Sequence, residues 1–338
     1  MLHPITVNIL QDPAALEDFI TNSWRPHGFS PDGRAVDANG QIIGNAWLNR
    51  EEWERLDAVV MAMGKQRLGA WQDVINAGLR SNTTLAEEFS KWRVASERTE
   101  ATVSMDFRTR VDYDRTDRKT YGVPIPIFSA AFSMGRRELA VVRATGGDVE
   151  TFEAEQAAEA VAEKVEATLV NGNTDVVIGG SSIAGYTTLS ARDTGTAAAY
   201  GGGDFGTITN IYPTFTGMMA ALAAKRFYGP FGCYLASTQY NQMLDFYSDG
   251  SGQKALDRVV GLNEIQFVKP HDLMTDGELL MVQLTRDVVD VRIGLSLETR
   301  RWETPSGSEM HFLVVFCGTP RVKQNYEGNA GIAHATAC

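Results

Sequence analysis

Gly201, Gly203 and Gly206 fall in the G-x-G-x-x-G spacing that can wrap a dinucleotide pyrophosphate. That chemistry needs a buried strand directly before the first glycine and an acidic residue about 20 positions on. Here ARDTGTAAAY precedes the glycines and a basic helix end, AAKRFYG, occupies the later position, so the glycines read as a connector. The run GGSSIAG approaches a nucleophile elbow, which requires glycines two residues before and two residues after the serine. Ser181 has Gly179 before it but Ile183 after, and Ser182 has Gly180 before it but Ala184 after, so neither fits. The five histidines (His3, His27, His271, His311, His334) show no H-E-x-x-H or H-x-x-E-H spacing, and Cys233, Cys317 and Cys338 form no C-x-x-C pair. Carboxylates are plentiful, yet none is set apart as an acid and base pair. The sequence therefore predicts no catalytic residue, no cofactor, no metal site and no enzyme.

The densest chemistry lies in Asp106–Thr120, DFRTRVDYDRTDRKT, which holds four Asp, four Arg and one Lys in fifteen residues. It continues a stretch with complete period-two alternation. Thr99, Ala101, Val103, Met105, Phe107, Thr109, Val111 and Tyr113 share one face, while Glu100, Thr102, Ser104, Asp106, Arg108, Arg110, Asp112 and Asp114 share the other. A turn follows near Asp114–Arg118, and KTYGVPIPIF reads as the return strand of a hairpin. Pro124 and Pro126 cannot donate to a ladder, so the return strand has a free edge or leaves the pairing there. Fifteen strand residues extend roughly 50 Å, against a radius of gyration of about 20 Å for a compact body of this length. Isolated two-stranded hairpins are marginal in water. The apolar face then rests either on the chain's own sheet or on a neighbouring molecule.

With 338 residues, 43% of them hydrophobic and 22% charged, the chain has the composition of one or two folded domains. A net charge of −11 excludes a general nucleic-acid binder but not a wall enclosing nucleic acid. MLHPITVNILQDPAAL lacks the basic start and apolar run of a signal peptide, and no stretch approaches the roughly 20 apolar residues of a membrane helix. Sparse cysteines fit a reducing compartment, so a soluble, cytosolically made protein is expected. Cys338 reads as a solvent-facing tail thiol.

The supporting elements follow from pattern. Residues 1–48 form an arm rich in Gly, Pro, Asp and Asn. Asn49 and Glu52 make a capping-box pattern before the helix EEWERLDAVVMAMGKQRLGAWQDVINAGL, in which Gly64 and Gly69 are expected bends or breaks. Asp148 is placed to cap VETFEAEQAAEAVAEKVEATLVNG, whose stripe Ala154, Ala158, Val161, Val165 and Leu169 is apolar. Glu155, Glu159, Glu163 and Glu166 line another face, most simply a solvated one or else a lining that repels a polyanion. Residues 173–207 read as a Gly/Ser/Thr/Ala-rich linker. Beyond it, PTFTGMMAALAAKRF, STQYNQMLDFY and QKALDRVVGL read as helices, and FGCYLAS, EIQFVKP, LLMVQLT and VVDVRIGL as strands. TRRWETPSGSEMHFLVVFCGTPRV reads as a closing hairpin with its second strand at Met310–Cys317.

This order of parts resembles the major capsid proteins of tailed phages and the related encapsulin shell proteins. LNREEWERLDAVVMAMGKQRLGAWQDVINAGL is similar to their N-terminal helix, ATVSMDF and VPIPIFSAAFSMGRREL to the extended loop and its exit, IAGYTTL to the segment after the spine helix, and WETPSGSEMHFLVVFCGTPRVKQNYEGNAGIAHA to the closing strand and tail. The resemblance implies an α+β chain with the HK97-type capsid fold: an N-terminal arm (1–48), a peripheral domain (49–98, 129–206 and 295–338) with a long spine helix, an extended hairpin loop (99–128) and an α/β axial domain (207–294). It implies hexamers and pentamers of an icosahedral virion shell enclosing double-stranded DNA, with portal, scaffold and decoration proteins as further partners and no membrane. The alternative it leaves open is an encapsulin compartment around cargo enzymes. The Pro/Gly-rich arm favours the phage coat; no long cleavable scaffold segment is visible, and no covalent cross-linking pair is predicted. The extended loop would contact a neighbouring subunit through Phe107, Arg108, Arg110, Asp112, Tyr113, Asp114, Arg115, Asp117, Arg118 and Lys119.

Overall fold

The computed structural model describes residues 68–97, 115–135, 152–247, 252–303 and 309–338, with isolated residues and short pieces at 28–29, 35–36, 56, 58–60, 62, 103, 105, 137 and 140–141. In chain order the elements are β1 (Gly28–Phe29), β2 (Ala35–Val36), α1 (Gly69–Asn76), β3 (Arg80–Asn82), β4 (Phe89–Ala95), β5 (Arg118–Pro124), β6 (Ile127–Gly135) and α2 (Phe152–Asn171). There follow β7 (Asn173–Ile178), β8 (Ser181–Ile183), β9 (Asp193–Thr196), α3 (Ile211–Ala224), β10 (Phe231–Leu235), α4 (Ser237–Gln242) and α5 (Ala255–Val260). The chain closes with β11 (Ile265–Pro270), β12 (Leu279–Gln283), β13 (Val289–Glu303), β14 (Glu309–Val322) and β15 (Ile332–Thr336).

Two cores organise these elements. In the first, α2 and α1 lie against the four-stranded sheet β3-β13-β14-β6. The stripe expected on α2 is what it buries: Ala154, Ala158, Val161, Val165 and Leu169. Trp71 of α1 meets Phe316 edge to face at 5.7 Å, and Phe132 stacks on Phe312 at 4.8 Å. The long helix anticipated before residue 79 is interrupted: Leu56, residues 58–60 and Ala62 are helical, Leu68 is not, and α1 restarts at Gly69. Asn49, Glu52, Gly64 and Asp148 lie outside the described residues.

The restart of α1 explains why the glutamate row of α2 is not uniformly solvated. Glu166 is buried, with 3% exposure, whereas Glu163 on the same helix is exposed. Its carboxylate accepts the Ala70 N–H at 2.5 Å and the Trp71 N–H at 3.1 Å, the orphan donors of α1's first turn. His271 Nε2 lies 2.8 Å from the same Oε1. A carboxylate from one helix thus caps another, where N-terminal N–H groups and the helix dipole favour negative charge.

The second core lies on one face of the five-stranded sheet β11-β10-β12-β15-β9, with α3, α4 and α5 beside it, while Tyr234, Leu280, Val282 and Ile332 on the other face join the first core. β10 pairs parallel with β11 and antiparallel with β12, and β15 pairs antiparallel with β12 and parallel with β9. Every residue of β10 and β12 is buried, in keeping with sequences that are apolar throughout except for Gln283 at the end of β12. Residues 173–207, expected as linker, are instead structured: β7 pairs with β8, and β9 is an edge of the five-stranded sheet. The glycines permit close passage. Gly172 takes a positive φ of 77° at the end of α2, and a Cβ on Gly217 would fall 1.7 Å from the Tyr200 carbonyl oxygen where residues 200–203 cross α3. That crossing, not a phosphate cradle, is what the glycine run serves. Cys338 is buried in this core rather than solvent-facing, and burial pushes its thiol up to about 12.

Two outcomes check these packing assignments. Glu166→Ala should lower subunit stability by about 3 kcal/mol in equilibrium unfolding, by removing the charge-assisted cap, while Glu163→Ala should stay within about 0.5 kcal/mol. His334 of β15 is buried, which holds its pKa below the usual imidazole value; Arg192 acts in the same direction and Glu278 opposes it. The folded state thus binds fewer protons than the unfolded one, so stability is lost as pH falls from about 6.5 toward the lowered value. Between pH 7.5 and 5.5, thermal unfolding of His334→Gln should depend on pH less steeply than that of the wild type.

Candidate inter-subunit surface

The charged hairpin grows from a root built of buried ion pairs. Asp290, on β13, is 1% exposed and receives Arg321 of β14 in a two-pronged contact, Nε donating to Oδ1 at 2.9 Å and Nη2 reaching Oδ2. Lys323 Nζ lies 3.2 Å from Asp290 Oδ1. Burial lowers the Lys323 pKa; Asp290 works against that shift and Arg321 reinforces it. Arg321 Nη1 also donates to Ser90 Oγ at 3.2 Å, and Arg292 Nη1 donates to the same oxygen at 3.1 Å while pairing with Glu87. Ser90, on β4, is wholly buried. One hydroxyl therefore takes two guanidinium donors from the main sheet and fixes the start of the hairpin to it.

From this root β4 and β5 pair antiparallel over seven residues, Phe89↔Pro124 to Ala95↔Arg118. Trp92 and Tyr121 sit side by side at 6.1 Å, and a Cβ on Gly122 would strike the Phe89 ring at 2.2 Å, so the two strands pack directly. Lys119 Nζ donates to the Tyr326 carbonyl at 3.0 Å and lies 4.0 Å from the centre of the Tyr326 ring. Glu97 pairs with Arg226 at 2.6 Å.

This pairing differs from the one read in the sequence. The outgoing strand is FSKWRVA, ahead of the alternating run, and the return strand divides at Ile125–Pro126 into β5, paired with β4, and β6, paired with β14. The prolines mark where pairing changes partner. Val103 and Met105 are not in a strand; they are 95% and 106% exposed. Of the residues expected to meet a neighbour, Arg115, Asp117, Arg118 and Lys119 are exposed at the outer end of the stem, whereas Phe107, Arg108, Arg110, Asp112, Tyr113 and Asp114 lie outside the described residues. Sequence reasoning missed the root. Its visible signal was Asp290 and Arg292 sharing one parity of an otherwise apolar strand. Among the described residues, no group of three or more His, Cys, Asp or Glu is arranged to hold a metal ion. Among the same residues, no helix is long and apolar enough to cross a membrane.

Solved shells share this arrangement. A virus-like particle from Pyrococcus furiosus matches with a TM-score of 0.58 at 17% identity, covering 84% of this chain and 99% of that one. The capsid of Myoviridae phage XM1 gives 0.59 at 14% identity, covering 78% and 91%. The capsid of an empty GTA particle gives 0.52 at 14% identity, covering 77% and 88%. The fold is thus the α+β HK97-type capsid fold. By sequence, residues 41–335 match the profile of a family of unknown function, DUF6260, and the chain belongs to that family. No curated protein matches it by sequence.

The root gives a direct test. Arg321→Ala leaves Asp290 buried against Lys323 alone and should cost about 3–5 kcal/mol in equilibrium unfolding. Arg93→Ala, on the exposed side of β4, should change stability by no more than about 0.5 kcal/mol.

Proposed function

We propose that the protein is a phage-type major capsid subunit that assembles into hexamers and pentamers of a closed icosahedral shell around double-stranded DNA. The observation that carries this reading is the anchored hairpin. Its root is fixed by buried ion pairs, yet Val103 and Met105 beyond its stem expose apolar side chains to water. Apolar surface held out on a rigid stem gains only when another molecule covers it. A second copy is the economical partner, since a closed shell presents the same complementary surface at every subunit.

In this reading the first core and its spine helix α2 form the peripheral domain, the second core forms the axial domain, and residues 99–128 form the extended loop. Assembly takes place in the host cytoplasm, the subunit resides in the virion, and the shell works with portal and scaffold proteins, with decoration proteins a further class of partner. The protein has no catalytic task, and the charges of both signs on the loop fix register between copies more than they add affinity. The likeness to the Pyrococcus virus-like particle, nearly all of whose chain is covered, favours a second reading, an encapsulin-type compartment around cargo enzymes. Electron microscopy of purified particles separates the two: DNA with a portal or tail at one vertex supports the phage coat, and enzyme cargo in its place supports the compartment.

Reversing Arg108, Arg110 and Arg115 to Glu should leave the subunit folded by circular dichroism and block assembly in size-exclusion chromatography. Normal shells from the triple variant would contradict the role assigned to the loop.

A further inference from the structure

The stem of the hairpin leaves the body of the subunit beside a cavity of about 120 Å³. Trp92 of β4 and Tyr121 of β5 line it from the stem, Ala184 and Leu189 from the segment after β8, and Pro320 and Val322 from the end of β14. The stem aromatics are cross-strand partners with ring centres 6.1 Å apart. Leu189, Pro320 and Val322 are buried, while Ser182 is exposed and Gln324 half-buried, so the space is apolar toward the body and polar toward solvent. No charged side chain lines it. A buried tryptophan N–H ordinarily finds an acceptor, because without one it forfeits its hydration for nothing. The Trp92 Nε1 atom is buried and hydrogen-bonds to no described residue.

We propose that this cavity binds a small neutral aromatic molecule bearing a hydrogen-bond acceptor, which takes the Trp92 N–H and lays its ring against the apolar wall. Each property of the ligand follows from the wall. A cavity of about 150 Å³ holds benzene, so the size selects a single ring. The absence of charged side chains selects a neutral molecule, since a charge would be desolvated there without an opposite partner. The unpartnered indole N–H selects an acceptor. Ordered waters fit less well, because each needs about two to four polar partners and Ala184, Leu189, Pro320 and Val322 offer no polar side-chain group. Apolar walls with a few placed polar groups are the ordinary make-up of a small-molecule site. The proposal goes beyond the shell reading and does not depend on it. Because the walls come from the stem, the β8 segment and β14, a bound ligand fastens the stem to the body.

Fluorine NMR on the full chain tests this, with 4-fluorobenzonitrile as the probe and fluorobenzene as its acceptor-free counterpart. The wild type should broaden or shift the 4-fluorobenzonitrile resonance, with an affinity about fivefold or more above that for fluorobenzene. Trp92→Phe keeps a ring but removes the N–H, and should lose that preference. Ala184→Leu and, independently, Val322→Leu fill the space and should lose binding of both probes, with circular dichroism checking that each variant is folded. At a probe concentration about ten times its Kd, amide exchange within 91–94 and 119–122 of the wild type should slow by roughly tenfold. Absence of binding to the wild type, binding undiminished in both folded filled variants, or a preference that survives Trp92→Phe would overturn the site. Unchanged exchange at that occupancy would overturn the fastening of the stem.

Discussion

A buried charge is tolerated only where opposite charge or oriented N–H groups surround it, and this constraint ties the subunit together at two places. Glu166 satisfies it by drawing the restarted helix α1 and His271, at the end of β11, onto the spine helix. Asp290 satisfies it by drawing Arg321 and Lys323 together, and the Arg321 guanidinium in turn holds Ser90 at the hairpin root. Close by, Asp73 of α1 accepts Lys269 Nζ at 2.5 Å and the Tyr234 hydroxyl at 3.3 Å, linking α1 to β11 and β10. Each carboxylate joins segments far apart in sequence, and each is placed where the two cores or the hairpin could otherwise move independently.

The consequence is a subunit that is firm inside and incomplete outside. Its cores are closed by Trp71, Phe312 and Phe316 on one side and by β10 and β12 on the other. Among the described residues, Val103 and Met105 are almost fully exposed beyond the stem, and β6 is a sheet edge without a charge. Exposed apolar side chains and open sheet edges are costly in an isolated monomer and gain when an assembly covers them. In the proposed shell a rigid root serves the same end: a loop that docks on a neighbour in fixed register loses less entropy when its base is already ordered.

Much of the architecture was legible in the sequence, and what was missed shares a cause. The spine helix emerged from its alanine and valine stripe, and the α/β part from buried runs such as FGCYL and LLMVQ, because local periodicity reports local burial directly. The glycine-rich stretch reads as linker in the sequence because composition does not reveal that a glycine is there to let one backbone cross another, as at Gly217. In the sequence Glu166 falls in an apparently uniform glutamate row because its partners, the first N–H groups of α1, lie 95 and 96 residues away. The hairpin was anticipated but mispaired: the strongest alternation lay beyond the stem, while the true outgoing strand, FSKWRVA, had a weaker pattern.

Electron cryomicroscopy of the purified wild-type protein tests the central claim most directly. The account predicts closed icosahedral shells with five- and six-membered capsomers, in which density for Val103 and Met105 of each subunit rests on its neighbour. Particles no larger than monomers or dimers at every concentration, or shells in which those residues project into solvent, would contradict it.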